Sequence, residues 1–168
     1  MANALEELIP GGDVSTFRHS IQALEHEMVK RVASGDIEDC LKDCKLSHYF
    51  APPIEGISHT TYARELFMPK GSVVIGKIHK HSHINIISQG VVSVVTEHGT
   101  KRLKAPCTFI SEVGLKRAVY VEEDTVWTTI HLTKFSKEAD MEMIEKEVIA
   151  ESYDELALEH KSEQGKLS

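Results

Sequence analysis

The chain of 168 residues holds one tryptophan, three cysteines and five prolines, and aromatic residues make up 6% of it. An odd set of cysteines, Cys40, Cys44 and Cys107, argues against a disulfide framework and for a reducing compartment. No apolar run is long enough to cross a bilayer, and the opening MANALEELIP carries acidic residues where a secretion signal is basic. Neither membrane insertion nor export through a signal peptide is therefore expected. A basic excess is missing too: 19 Lys and Arg stand against 26 Asp and Glu, a formal net charge of −7. That balance disfavours nucleic acid and anionic lipid as partners. No P-loop, Rossmann glycine fingerprint, RNA-binding aromatic motif or Ser-His-Asp order is found.

The charge is unevenly spread. Residues 138 to 168 hold ten acidic side chains and three lysines, the whole net charge, and residues 1 to 137 carry sixteen of each sign. An acidic tail favours solubility or a basic protein partner. Between Thr60 and His131 lie short runs rich in β-formers: TTYARELFM, SVVIGKIH, INIIS, VVSVVTE, KRLKA, TFIS, RAVYVE and TVWTTIHLT. They are punctuated by Gly71, Gly90, Gly99, Pro106, Gly114 and the acidic Glu122-Glu123-Asp124. Short strands with such regular turn signals predict a jelly roll or sandwich and not a parallel sheet with crossover helices. The flanks read as helical. Phe17, Ile21, Leu24, Met28 and Val32 form one stripe over 13–33, with Asp13 or Ser15 as N-cap candidates and Gly35 at the stop. A shorter helix is expected over 36–46. Ser136 is the expected cap of a helix presenting Met141, Ile144 and Val148, and Ser152-Tyr153-Asp154-Glu155 has the form of a capping box. The expected division is a helical arm at 1–46, a β-barrel at 47–135 and an acidic helical tail at 136–168, its last residues from about Glu159 frayed.

One stretch carries more than periodicity. From Gly71 to Gly90 the chain reads GSVVIGKIHKHSHINIISQG, whose spacing resembles the first motif of the cupin superfamily, G-x5-H-x-H-x3-E-x6-G. In that register the ligand slots fall on Lys77, His79 and His83, so one imidazole is replaced by an ammonium and the carboxylate by an imidazole. The later cupin motif is resembled by 106–117: Gly114 stands at the turn glycine, Arg117 in place of the fourth ligand, His, and Val121 in place of Asn. The resemblance covers residues 60 to 133 and implies a mainly β, cupin-type jelly-roll β-barrel with N-terminal and C-terminal helical extensions. Residues 76–100 and 105–133 are also similar to small single-domain cupin-like proteins of tailed bacteriophages. This implies an accessory or structural protein, cytoplasmic in a bacterial host or part of the virion.

Strand alternation puts Ile75, Lys77 and His79 on one face. If that face lines the barrel mouth, Lys77, His79, His83 and Arg117 converge there, and His131, near the end of the last long run, reaches the same side. Two cations and several imidazoles describe a site for a carboxylate, phosphate or sugar phosphate. The same cations repel a divalent metal, so no metal is expected; the alternative is a divalent transition metal on His79, His81 and His83, with Asn85 for the carboxylate in a shifted register. Blander readings stand beside these. His81 alternates away from His79 and belongs on the surface with Lys80; Arg117 pairs with Glu112 or Glu122; Cys40, Cys44 and His48 are core packing; Trp127 is core or lining.

Three functions follow. The leading one is a non-enzymatic, homo-oligomeric cupin-like protein that binds a small anion or, through its helical arms, a protein partner. The alternatives are a cupin isomerase, epimerase or lyase with His79 or His83 as general base, and a metal-dependent cupin using His79 and His83.

Overall fold

The computed structural model describes Ile9 and residues 13 to 158. Helix α1 (Val14–Ser34) begins where Asp13 accepts from the Thr16 amide at 2.9 Å and ends at Gly35, whose left-handed φ of 81° closes the last turn. The expected helix over 36–46 is absent. A single 3-10 turn (Cys40–Lys42) is followed by strand β1 (Lys45–Phe50), which pairs residue by residue with β2 (Thr60–Met68). Cys40 Sγ donates to Val73 O, distant in sequence, at 3.4 Å, and Cys44 Sγ donates to Cys40 O at 3.3 Å. His48 lies on β1, away from both.

After β2 come β3 (Val73–Ile75), β4 (Ile78–His79), β5 (His83–Thr96), β6 (Gly99–Lys104), β7 (Cys107–Ser111) and β8 (Ala118–Thr133). Two expected strand breaks do not occur. INIIS and VVSVVTE form one strand of 14 residues, and RAVYVE and TVWTTIHLT form one of 16. Gly90 bends β5 without ending it: its φ is 90°, and the β5–β8 register shifts around residues 87 to 92. Glu122 keeps to the β8 ladder by accepting from Ser93 Oγ at 2.6 Å and Arg102 Nε at 2.8 Å. A break not expected separates β3 from β4 at Gly76 and Lys77.

β5 and β8 pair antiparallel and pass through both layers of the fold. Their halves around His83–Ile87 and Trp127–Thr133 lie in the layer β1-β2-β8-β5-β7, and the other halves lie with β3 and β6. The result is a mainly β antiparallel jelly roll. Met68, Ile87, Val92, Val94, Val119, Val121 and Trp127 fill its interior. At about 25 cal/mol per Å² of apolar surface, this burial is the principal stabilising term.

The helices cover the barrel and do not project from it. Phe17 and Ile21 of α1 pack on Val95 and Ala118, so the front of the apolar stripe is covered by the chain's own barrel. Two ion pairs hold it there, Arg18 to Glu97 at 2.7 Å and the buried Lys116 to Glu25 at 2.9 Å. Beyond β8, a 3-10 turn (Glu138–Asp140) leads into α2 (Met141–Val148); no side chain caps that turn or the helix, so Ser136 does not take the expected role. Ile144 and Val148 bury against Tyr62 with Met141 alongside, as the stripe predicts. The chain then forms β9 (Ile149–Ala150) and a helical turn over 153–158, where Glu155 N donates to Ser152 Oγ at 3.1 Å and the Glu155 carboxylate accepts from Glu151 N at 2.8 Å. Among the described residues no helix is long and apolar enough to cross a membrane.

Gly90 is the pinch point of the long strand. A Cβ there would lie 2.4 Å from Asp124 O and 2.8 Å from Thr125 Cα, both backbone atoms that cannot swing aside. Gly90→Ala is therefore expected to cost about 3 kcal/mol in urea unfolding. A loss below about 1 kcal/mol would mean that the bend relaxes freely.

Candidate metal and anion site

Three imidazoles meet at one end of the barrel, each delivered by a different strand. His131 sits near the end of β8 opposite Tyr62 on β2; His83 opens β5 opposite Ser111 on β7; His79 ends the short β4. Ring centroids are 4.0 Å apart for His79–His83, 4.7 Å for His83–His131 and 4.9 Å for His79–His131. One ligand atom from each ring lies within 4.8 Å of the others. His83 Nδ1 is 3.2 Å from His81 O; a carbonyl only accepts, so Nδ1 carries the proton and Nε2 keeps its lone pair. His79 Nδ1 is buried without a partner. Tyr62 stacks on His131 at 6.3 Å, and its hydroxyl meets His48 Nδ1 at 2.8 Å.

All three rings are held neutral. Burial comes first, then repulsion from the neighbouring imidazoles and from Arg117 and Arg64, which together drive His79 down to about 2. Burial and His83 bring His131 to about 3. Burial lowers His83 to about 4 against the opposing pull of its bond to the His81 carbonyl. These are uncharged lone-pair donors at neutral pH.

Arg117, 8% exposed, stands beside them on the segment entering β8. Its Nη2 donates to Ser111 Oγ, which also accepts from Asn85 Nδ2 at 2.8 Å, and Asn85 Oδ1 accepts from Trp127 Nε1 at 2.9 Å. The guanidinium lies 5.4 Å from the Trp127 ring centroid and 5.9 Å from that of Phe109. Burial lowers its pKa to about 10, so it stays charged at neutral pH. The expected pairing with Glu112 or Glu122 is not formed: Glu112 faces His98 at 3.5 Å and Glu122 binds Arg102 at 2.8 Å. Among the described residues no carboxylate neutralises Arg117.

Of the expected site residues, His79, His83, His131 and Arg117 share this environment, and Lys77 and His81 do not. Lys77 falls in the break between β3 and β4 and is exposed, because the alternation that would point it inward holds only along a continuous strand. His81 is exposed and gives the site its backbone carbonyl only. Lys80, expected on the surface, is the buried lysine of this stretch, its ammonium 2.9 Å from Glu155. Asn85, weighed only as a metal ligand in a shifted register, instead joins Ser111 and Trp127 beside Arg117, and Ser111 and Arg64 have no counterpart in the sequence reading. Asn85 had a readable signal, an amide two residues from His83 on the inward face of an otherwise apolar strand.

No family profile matches the chain, and no curated protein sequence matches it. Solved structures similar to it include KdgF from Halomonas sp., at 16% identity, covering 55% of this chain and 98% of that one with a TM-score of 0.40. A Photorhabdus luminescens protein is similar at 16% identity over 66% of this chain and 90% of its own, TM-score 0.44. A cupin 2 domain-containing protein from Halorhodospira halophila is similar at 13% identity over 68% and 74%, TM-score 0.43.

The cluster makes the fold acid-labile in a defined direction. Unfolded histidines titrate near 6.5 and these three at about 4 or below, so between those limits the unfolded chain binds more protons. With respect to these groups the fold is most stable above pH 6.5 and loses stability as pH falls from there towards 4, at about 1.4 kcal/mol per pH unit for each fully shifted group. Urea midpoints measured between pH 7 and pH 5 should fall steeply for the wild type and less steeply for a His79→Ala, His131→Ala double variant. Equal slopes would place the acid sensitivity elsewhere.

Proposed function

We propose that the protein is a metal-binding barrel that holds a divalent transition metal through His79, His83 and His131 and a small anion through Arg117. The observation that carries this reading is the set of three neutral, desolvated imidazoles with ligand atoms within 4.8 Å of one another. Nitrogen donors of this kind suit Zn, Fe, Ni or Mn, and the partnerless His79 Nδ1 fits a site completed by a ligand. A bound metal supplies Lewis acidity and lowers the pKa of a coordinated water.

The Arg117 guanidinium takes a specific place in this scheme. A dication and Arg117 repel each other, and a carboxylate or phosphate in the same pocket offsets both charges. Ser111 fixes the guanidinium, and the Trp127 and Phe109 rings lie close beside it, so the anchor is preorganised. The expectation of a metal-free anion site drew equally on Lys77, whose exposure removes one of its two cations. The isomerase or lyase reading loses support for another reason. A general base works best with a pKa near the operating pH, and at about 2 and 4 neither His79 nor His83 meets that condition.

The test is metal analysis of untagged protein purified without chelator. About one metal per chain is expected, lost in His79→Ala and in His131→Ala and retained in Arg117→Ala. In a thermal-shift screen of dicarboxylates, phosphates and sugar phosphates, a stabilising anion should act on the wild type and not on Arg117→Ala. Substoichiometric metal together with no uptake of added Co2+ would replace this reading with the metal-free anion site.

We also propose that the barrel assembles with a second copy of itself. Cross-strand pairing lines up Ile110, Ile84, Ile130, Ala63 and Tyr49 as one outward row over β7, β5, β8, β2 and β1, beside the exposed Leu132. Ile110 and Leu132 are 71% and 68% exposed, an unusual concentration of apolar surface on a sheet face. Sedimentation should give a dimer or higher oligomer, and an Ile84→Glu, Ile110→Glu variant should be monomeric. A wild-type monomer at micromolar concentration would remove the proposal.

A further inference from the structure

Of the three strands that deliver the imidazoles, two belong to the main sheet and one does not. His83 and His131 lie on β5 and β8, the most extensively paired strands of the barrel. His79 lies on β4, which among the described residues pairs only with β9: Ile78 pairs with Ala150 and His79 with Ile149. The contact extends on both sides. Lys80 N donates to Val148 O at 2.9 Å, and Lys80 Nζ donates to Lys146 O at 3.0 Å and reaches Glu155 Oε1 at 2.9 Å. Ile78, Ala150 and Leu156 bury together with Tyr153 against them. The His79 carbonyl accepts from Gly114 N at 2.9 Å, and a Cβ at Gly114 would lie 2.9 Å from Leu156, so the tail also closes over the turn that holds His79 from the other side.

Resting on the metal reading above, we infer that residues 146 to 158 form a strap that positions His79, with Lys80 and Glu155 as positioning residues, and that docking of the strap and metal binding are thermodynamically linked. A ligand held by a two-residue ladder, the Lys80–Glu155 ion pair and a small apolar cluster is placed by elements that open at lower free energy than the barrel. Release of the strap leaves two imidazoles on the rigid sheet and removes the third. By reciprocity, a metal that needs all three rings holds the strap down by the same free energy.

The probe is Co2+, titrated into the full-length metal-free protein well below its melting temperature. Lys80→Met and Glu155→Ala should each weaken Co2+ binding about 10-fold or more, the usual effect of removing a group that orients a ligand. Lys80→Arg, which can still meet Glu155, should restore most of the affinity. In metal-free protein the imidazole carbon–proton NMR signals of His79 should move most in both variants, with smaller ring-current shifts at the neighbouring His83 and His131, and the Lys80 amide should exchange faster. Co2+ should slow that amide in the wild type. A purely structural contribution would lower the melting temperature and leave the His79 signals and the Co2+ affinity in place, and that result overturns the inference. If the wild type takes up no Co2+, the metal reading and the linkage both fall. The His79 signals and Lys80 amide of the metal-free variants then decide, by themselves, whether the strap positions His79.

Discussion

The antiparallel pairing of β5 with β8 is the constraint on which the rest depends. Both strands run through both layers of the jelly roll, so one register fixes the barrel and its site together. Ile84 opposite Ile130 brings His83 across from His131; Asn85 opposite Thr129 sends its amide toward Trp127 and Ser111. A slip by one residue would turn His83, Asn85 and Ile87 outward and bring Ile84 and Ile86 in. The register shifts at 87 to 92 absorb the bend between layers without disturbing the end that carries the histidines.

Physical legibility of the sequence was greatest where one local signal had one meaning. The run TTYARELFM is β2 from end to end, and α1 starts and stops at Asp13 and Gly35 because a side-chain cap and a left-handed glycine act locally. Gly90 misled because glycine at positive φ serves a bend inside a strand as well as a turn between strands, and the paired neighbour decides which. The segment from Asp36 to Leu46 carried helical spacing, but only a 3-10 turn forms within it and its last two residues, Lys45 and Leu46, open the ladder with β2, a tertiary preference that overrides propensity. At the site, the spacing around His79 and His83 survived, and Lys77 and Lys80 exchanged the environments expected of them. Alternation cannot be carried across a two-residue break that only the folded chain reveals.

Clustering three imidazoles and a guanidinium in a desolvated barrel opposes folding, and burial of the apolar core offsets that cost. Lys116 and Lys80 are both buried and both paired, to Glu25 on α1 and to Glu155 on the C-terminal strap. Each pair fastens an appendage to the barrel. Desolvation of a buried ammonium consumes most of the attraction to its carboxylate, so these pairs contribute specificity of docking more than net stability. The helices at the two ends are thus integral to the barrel's closure.

Trp127 gives the molecule a property that bears on observation more than on binding. It is the chain's one tryptophan, 6% exposed, with its indole N–H tied to Asn85 and its ring near the Arg117 guanidinium and edge-on to Phe109. Ultraviolet emission above the tyrosine band therefore originates from a single, known place at the wall of the histidine cluster. A paramagnetic ion or a charge arriving there acts on one chromophore with no background from elsewhere in the chain. The protein carries its own fluorescent gauge of what enters the barrel, in place before any label is attached.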